Sequence, residues 1–323
     1  MGSSTAPPDD RSEPDAGALT QDLIASLEAA RERFLALIDP LRADLHRYCT
    51  RMTGSIADGE DVVQDTLARA CYELSQHQTL PPLRPWLFRI AHNRAIDHRR
   101  HAAHRVAEPL DAAAELPGDE RDGPEQQLAR RQAVQAALAS FLALAPAQRG
   151  CVILKDVLDH TLEEIGAELD LSVPAVKAAL HRGRAALAAA NARAAAGAVA
   201  PPAAAARAVS PELARYARLF DAHDWDGVRA LLADDVRLDL VARRKAAGRR
   251  AVGAYLGNYD RQPGWSVAPA WLEGREVLAV RTRADAPPRY FIELAWQDGR
   301  VREIRDYRYV RYIADEARFD PAG

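Results

Sequence analysis

Pro85-Trp86-Leu87-Phe88-Arg89-Ile90-Ala91-His92-Asn93-Arg94-Ala95-Ile96-Asp97-His98-Arg99-Arg100 decides how the first half of this chain is read. Pro85 suits the first helical position, where its missing N–H costs nothing, and no later proline interrupts the run. At about 100° per residue, Leu87, Ile90, Ala91 and Ala95 gather on one side. Arg89, Asn93, Ile96 and Arg100 follow a second line, so one face can pack while the other presents cations and an amide able to read a base edge. Alone, the helix fits two readings equally: a solvated basic face, or a surface for a polyanion.

Composition narrows the setting. A chain of 323 residues exceeds one ordinary core and implies two or three domains. Hydrophobic residues at 48% and charged residues at 28% fit a soluble globular protein, and no apolar run approaches the roughly 20 residues that span a bilayer. No membrane association is expected, and the polar, proline-bearing Met1–Asp15 has no apolar signal core, so a cytoplasmic location is expected. Cys49, Cys71 and Cys151 sit in apolar helical patterns with no CxxC pairing, as buried thiols in a reducing compartment do. His46 and Cys49 share a face without a second ligand pair, so no metal site and no cofactor is expected. The net charge of −3 rules out a uniformly basic DNA-coating protein, yet Arg84 to Arg105 holds six arginines against the single acid Asp97.

Outward from the opening helix, Phe34, Ile38, Leu41, Leu45, Tyr48 and Met52 recur at helical spacing. After the Thr53-Gly54-Ser55 break, Val62, Leu67, Ala70, Cys71 and Leu74 do the same. With a loop over Ser75 to Arg84, these predict an all-α unit over 28–104, preceded by a disordered leader over 1–27. An acidic linker spans 105–125, and Leu128, Val134, Leu138, Phe141 and Leu142 mark the next helix, with Pro146 starting another. Thr161 to Leu169 reads as a short helix, Asp170-Leu171 as a turn, and Ser172 as the cap of a helix through Leu187. This is the helix-turn-helix layout, with Ile165, Leu169, Val176 and Leu180 as its core, and it places the second all-α unit at 126–190. An alanine- and proline-rich tether over 191–209 leads to an α+β unit over 210–316. Leu213 to Phe220 and Val228 to Leu232 read as helices there. Strand patterns follow from Val236, at Trp265 to Trp271, Glu276 to Arg283, Arg289 to Trp296 and Val301 to Ile313.

Asp58-Gly59-Glu60-Asp61-Val62-Val63-Gln64-Asp65-Thr66, followed by Trp86 to Asn93 and Ala95-Ile96-Asp97, resembles region two of the extracytoplasmic-function group of bacterial RNA polymerase sigma factors. Thr161 to Leu187 resembles region four of the same group. Phe220 to Gly227, Leu231 to Val236 and the helix from Gly248 to Tyr255 resemble a SnoaL-like domain. The Asp-Gly-Gly-Gly-basic segment of one subgroup is missing, and Val241-Ala242-Arg243-Arg244-Lys245 stands after the first strand. The implied architecture is two all-α sigma domains, the second with a helix-turn-helix, then an α+β SnoaL-like domain.

The resemblance implies a protein that binds core RNA polymerase and directs promoter-specific initiation. Asp58, Glu60, Asp61, Gln64 and Asp65 would meet the polymerase clamp through complementary charge. Asn93 would hold an extruded base of the minus-ten element while Arg89, Arg99 and Arg100 grip phosphates. Lys177, His181 and Arg182 would reach base edges of the minus-thirty-five element, with Arg184 and Lys155 on the backbone. Ala178 and Ala179 stand where relatives carry polar residues, so fewer base contacts are expected. The last domain would regulate in cis, with a small-molecule ligand in an apolar cavity lined by Trp265, Trp271 and Trp296.

Two rivals remain at this point. A one-component DNA-binding regulator with a ligand-sensing C-terminal domain needs only the helix-turn-helix and leaves Asp58 to Arg100 unexplained. A catalytic C-terminal domain would draw on Asp239, His223 and Tyr290, whose convergence the sequence does not establish; the expectation is that the protein is not an enzyme.

Overall fold

The computed structural model describes residues 16–74, 76, 81–106, 140–196, 208–261, 264–283, 286–310, 312–317 and 319–321. It opens with α1 (Ala16–Thr53), α2 (Ile56–Leu74) and α3 (Leu83–Val106). The first helix therefore begins inside the stretch read as a leader, and the opening helix starts two residues before Pro85, which sits within its first turn where an N–H is still dispensable. Leu87, Ala91 and Ala95 are fully buried as their spacing requires, and Phe88 joins them. Gly59 lets α2 cross α1 closely: a Cβ there would lie 2.8 Å from the Thr50 backbone. The acidic linker, the helix starting near Leu128 and most of the tether lie outside the described residues.

Next come α4 (Pro146–Val152), which runs into a π-helical turn at Ile153–Val157, then α5 (Leu162–Leu169) and α6 (Val173–Ala196). The capping box is formed: the Thr161 hydroxyl accepts from the Glu164 backbone N–H, and the Glu164 carboxylate accepts from that of Thr161. Asp170 takes the left-handed conformation that ends α5. Gly166 is required by the turn, since a Cβ there would sit 2.7 Å from the Leu171 carbonyl oxygen. The two helical units share one apolar core, running from Phe34, Ile38, Leu45, Phe88 and Ala91 to Cys151, Ile153, Ile165, Val176 and Leu180. Buried Arg149 joins them, donating to the carbonyls of Met52 at 2.7 Å, Phe141 at 2.7 Å, Leu142 at 2.9 Å and Leu144 at 2.9 Å.

The C-terminal unit packs α7 (Pro211–Asp221), α8 (Trp225–Ala230) and α9 (Arg249–Asp260) on a mixed sheet of β1 (Leu232–Leu240), β2 (Arg244–Ala247), β3 (Ser266–Leu272), β4 (Arg275–Arg281), β5 (Tyr290–Gln297), β6 (Arg300–Asp306) and β7 (Asp320–Pro321). The order is β2-β1-β6-β5-β4-β3-β7, with β1 parallel to β6 and the other neighbours antiparallel. Two expectations change. Leu232 opens a strand rather than closing a helix, and the pattern from Val301 to Ile313 breaks after Asp306 into a turn and α10 (Ile313–Glu316). Arg308 and Tyr309 turn the chain there, which alternation alone does not reveal. Ile56, the first residue of α2, is buried in the core of this C-terminal unit, so α2 starts at an interdomain joint.

Candidate nucleic-acid interface

The basic face of α3 survives folding in part. Arg89, Asn93 and Arg100 are all exposed, on the line their spacing sets. Arg89 nevertheless donates to the Ala167 carbonyl of α5 at 2.9 Å, so one of its donors is engaged by the helix-turn-helix unit. Arg99 departs from the group: it is half-buried, its Nη1 is enclosed without a partner among the described residues, and its charge helps lower the pKa of buried Arg149. Burial is the larger cause there, pushing Arg149 down to about 10. Opposite the basic face, the Tyr48 hydroxyl meets His92 Nδ1 at 2.7 Å, and burial pushes His92 down to about 4. His92 is therefore neutral near pH 7 and shares a core hydrogen bond with Tyr48. At the head of α3, Arg84 reaches His160 at 2.6 Å, and His160 Nδ1 lies 2.8 Å from the buried Glu168 carboxylate. That chain fastens α3 to the helix-turn-helix.

On α6, Lys177, His181, Arg182 and Arg184 are all exposed, while Val176, Ala179 and Leu180 face the core. Lys155, Lys177, His181 and Arg184 line one concavity of about 770 Å³ with Thr161 and Leu162. Two of these cations are already occupied. Lys155 donates to the His160 carbonyl at 3.0 Å, and Arg184 forks onto Asp156, its Nε at 3.0 Å. Both are thus held in fixed positions by neighbouring groups, whereas Lys177 and His181 project from the first turns of α6.

The acidic helix is the largest departure. Of the five candidates, Asp65 is exposed, Gln64, Asp58 and Asp61 are half-buried, and Glu60 is wholly buried. The C-terminal unit engages three of them. Arg275 donates to Asp58 at 2.8 Å, Arg305 forks onto Asp61, and the Tyr312 hydroxyl donates to Glu60 Oε2 at 2.8 Å. Gln64 and Arg42 donate to Glu60 Oε1 at 2.5 and 3.3 Å, so the buried carboxylate is fully partnered. Beside them the Ile56 N–H donates to Glu273 at 2.8 Å, and burial raises the Glu273 pKa. No spacing in the sequence announces Arg275, Arg305, Tyr312 or Glu273, because they lie on strands and turns more than two hundred residues from their partners on α2 and acquire meaning only when the sheet sets them against it.

The C-terminal candidates do not converge. Asp239 pairs with Lys245 at 3.3 Å on the sheet edge, His223 tilts against Trp225 at 5.5 Å, and Tyr290 belongs to a third group. There the Tyr255 and Tyr259 hydroxyls donate to buried Asp306 at 2.8 and 2.5 Å, and Tyr259 meets Tyr290 at 3.1 Å. Nor do the tryptophans share a cavity: Trp265 lines the cleft against α1, Trp271 is buried near the far strands, and Trp296 packs edge-on to Tyr216. Among the described residues no helix is long and apolar enough to cross a membrane, and no group of His, Cys, Asp and Glu is arranged for a metal.

Residues 37–105 match the family of sigma-70 region 2, 132–187 that of sigma-70 region 4, and 202–267 that of the SnoaL-like domain. The extracytoplasmic-function (ECF) sigma factor SigL of Mycobacterium tuberculosis is 35% identical over 163 residues, covering 49% of this chain and 86% of SigL. SigG of the same species is 32% identical over 228 residues, 62% of this chain; the chain spans 60% of SigG's length. The crystal structure of the M. tuberculosis extracytoplasmic-function sigma factor SigJ aligns at 22% identity over 84% of this chain and 95% of that one, with a TM-score of 0.33.

Proposed function

Because this chain belongs to the ECF RNA polymerase sigma factors, we propose that it binds core RNA polymerase and directs promoter-specific initiation, under the control of its own C-terminal domain. Asp58, Glu60, Asp61, Gln64 and Asp65 are its polymerase contacts. Asn93 takes the extruded minus-ten base, with Arg89, Arg99 and Arg100 on flanking phosphates. Lys177, His181 and Arg182 read the minus-thirty-five element, and Arg184 and Lys155 hold its backbone. The compartment is the one that holds polymerase and promoter DNA, the cytoplasm, and no catalytic step is assigned.

One observation carries the regulatory part: Asp58, Glu60 and Asp61 are engaged by Arg275, Tyr312 and Arg305. The same carboxylates cannot partner the C-terminal domain and a basic clamp surface together. Occupation of one surface by two partners is competition, and the internal partner acts at the high effective concentration of a tethered one. A one-component regulator would have no use for an acidic helix that needs covering.

Run-off transcription with purified core polymerase, comparing the full chain with a truncation after residue 196, tests both parts. Transcription that depends on the chain and rises on truncation supports the reading. Absence of any polymerase-dependent transcript from either form rejects it, and equal activity of the two rejects the control by the C-terminal domain.

A further inference from the structure

The cleft between α1 and the C-terminal unit encloses about 1020 Å³, at the upper end for a site that takes a small organic molecule. Its lining is unusual in charge. Arg42, Arg243, Arg289 and Arg308 face it, against the single carboxylate of Asp39. Arg42 is committed to Glu60, but exposed Arg243 and Arg289 have no carboxylate partner among the described residues. Two such like charges on one concavity, with Arg308 beside them, raise its potential and attract an anion.

Its aromatic lining is equally specific. The Arg243 guanidinium lies 5.0 Å from the centre of the Tyr309 ring, and that of Arg308 lies 4.9 Å from the Trp265 ring and 5.2 Å from Tyr259. A guanidinium stacked on a ring keeps its N–H edge in the plane, directed at whatever shares that plane. Tyr259 and Tyr255 are pinned behind this wall by Asp306, whose other oxygen accepts the Arg308 N–H at 2.9 Å. Rings and cations thus alternate along one rigid wall. Tyr309 is exposed, 41% accessible, and has no apolar cover among the described residues.

We propose that this cleft binds a small anion bearing a planar ring, its carboxylate or phosphate held by Arg243, Arg289 and Arg308 and its ring stacked on Trp265 and Tyr309. Inorganic anions alone leave most of the volume and all of the aromatic wall unused. Because α1 supplies one side, a bound ligand favours the docked arrangement by the factor 1 + [L]/Kd. The inference rests on that arrangement and makes the ligand its effector.

Isothermal titration calorimetry on the full chain, without polymerase, tests it. The probes are 2-naphthoate and AMP, with their neutral counterparts 2-naphthamide and adenosine. The expected result is saturable one-site binding of at least one anion, at least tenfold tighter than its neutral counterpart and weakened at least tenfold by Arg243→Gln with Arg289→Gln. Both substitutions are at exposed positions, and unchanged melting temperatures verify the fold. Preference for AMP assigns the anion to phosphate, and preference for 2-naphthoate to carboxylate. No saturable binding of either anion, equal binding of the neutral partners, or binding indifferent to the two arginines overturns the proposal. If the titration fails while core affinity still responds to Tyr312→Phe, the ligand site alone is lost. Failure of both removes the docked arrangement itself.

Discussion

Deleting one oxygen, in Tyr312→Phe, should release the acidic helix. The Tyr312 hydroxyl donates to Glu60 Oε2 at 2.8 Å and accepts from Arg42 at 3.3 Å, and its ring sits 5.0 Å from His46; phenylalanine keeps the ring and removes both bonds, of which the one to the carboxylate is the shorter. Glu60 retains Gln64 at 2.5 Å and Arg42 at 3.3 Å, so it is weakened in its site rather than orphaned. A hydrogen bond to a charged group contributes about 1.5–3 kcal/mol. The docking equilibrium should therefore shift roughly 10- to 150-fold toward the open form, at 1.36 kcal/mol per tenfold. Apparent affinity for core polymerase is the intrinsic value scaled by the open fraction, so it should rise by the same factor until the open form predominates. Fluorescence anisotropy of labelled chain against core polymerase measures this. A Tyr312→Phe protein that melts normally and binds core no more tightly than the parent refutes the competition argument.

Other consequences are checked as directly. His92 is held neutral, down at about 4 against 6.5 unperturbed, so the unfolded chain binds the extra proton; stability is complete above about pH 6.5 and declines toward pH 4. The loss approaches about 3 kcal/mol, and thermal melts of the parent and His92→Gln across that range should show a shallower decline in the variant. Gly166→Ala drives a Cβ against the Leu171 carbonyl at 2.7 Å and should cost about 1–3 kcal/mol, read from denaturant unfolding. A variant as stable as the parent would mean that the turn has room. Asn93→Ala, at an exposed site with no packing role, should reduce promoter opening in permanganate footprints more than closed-complex binding; equal losses would end its assignment to the base pocket.

The helical half was legible because its signals are local. Thr161, Glu164 and Gly166 write the cap and turn of the helix-turn-helix within six residues, and the exposed line of Arg89, Asn93 and Arg100 follows from helical period alone. What period cannot convey is which side of a charged residue another domain will take. Nothing local to Asp58 and Asp61 announces their partners Arg275 and Arg305, which lie far along the chain, and nothing near Arg99 announces the charge of Arg149 beside it. The sheet was legible strand by strand, but the parallel pairing of β1 with β6, which brings Asp306 beneath α9, is a long-range choice without a local signature.

The two halves of the closure act on different steps. The helix-turn-helix unit meets α3 through Arg89 and Arg84, yet Asn93 and Arg100 stay exposed, whereas Glu60 is wholly buried and Asp58 and Asp61 are paired. In the proposed function, capture of a single strand uses the first surface and engagement of polymerase the second. Docking of the C-terminal unit should therefore block the polymerase step while leaving strand capture nearly intact. The affinity of the free chain for a fluorescent oligonucleotide carrying its non-template minus-ten sequence should be the same in the parent and in Tyr312→Phe, although their affinities for core differ by tenfold or more. If oligonucleotide and core affinities rose together, the closure would be a single global transition, and the separation of the two surfaces would have no functional meaning.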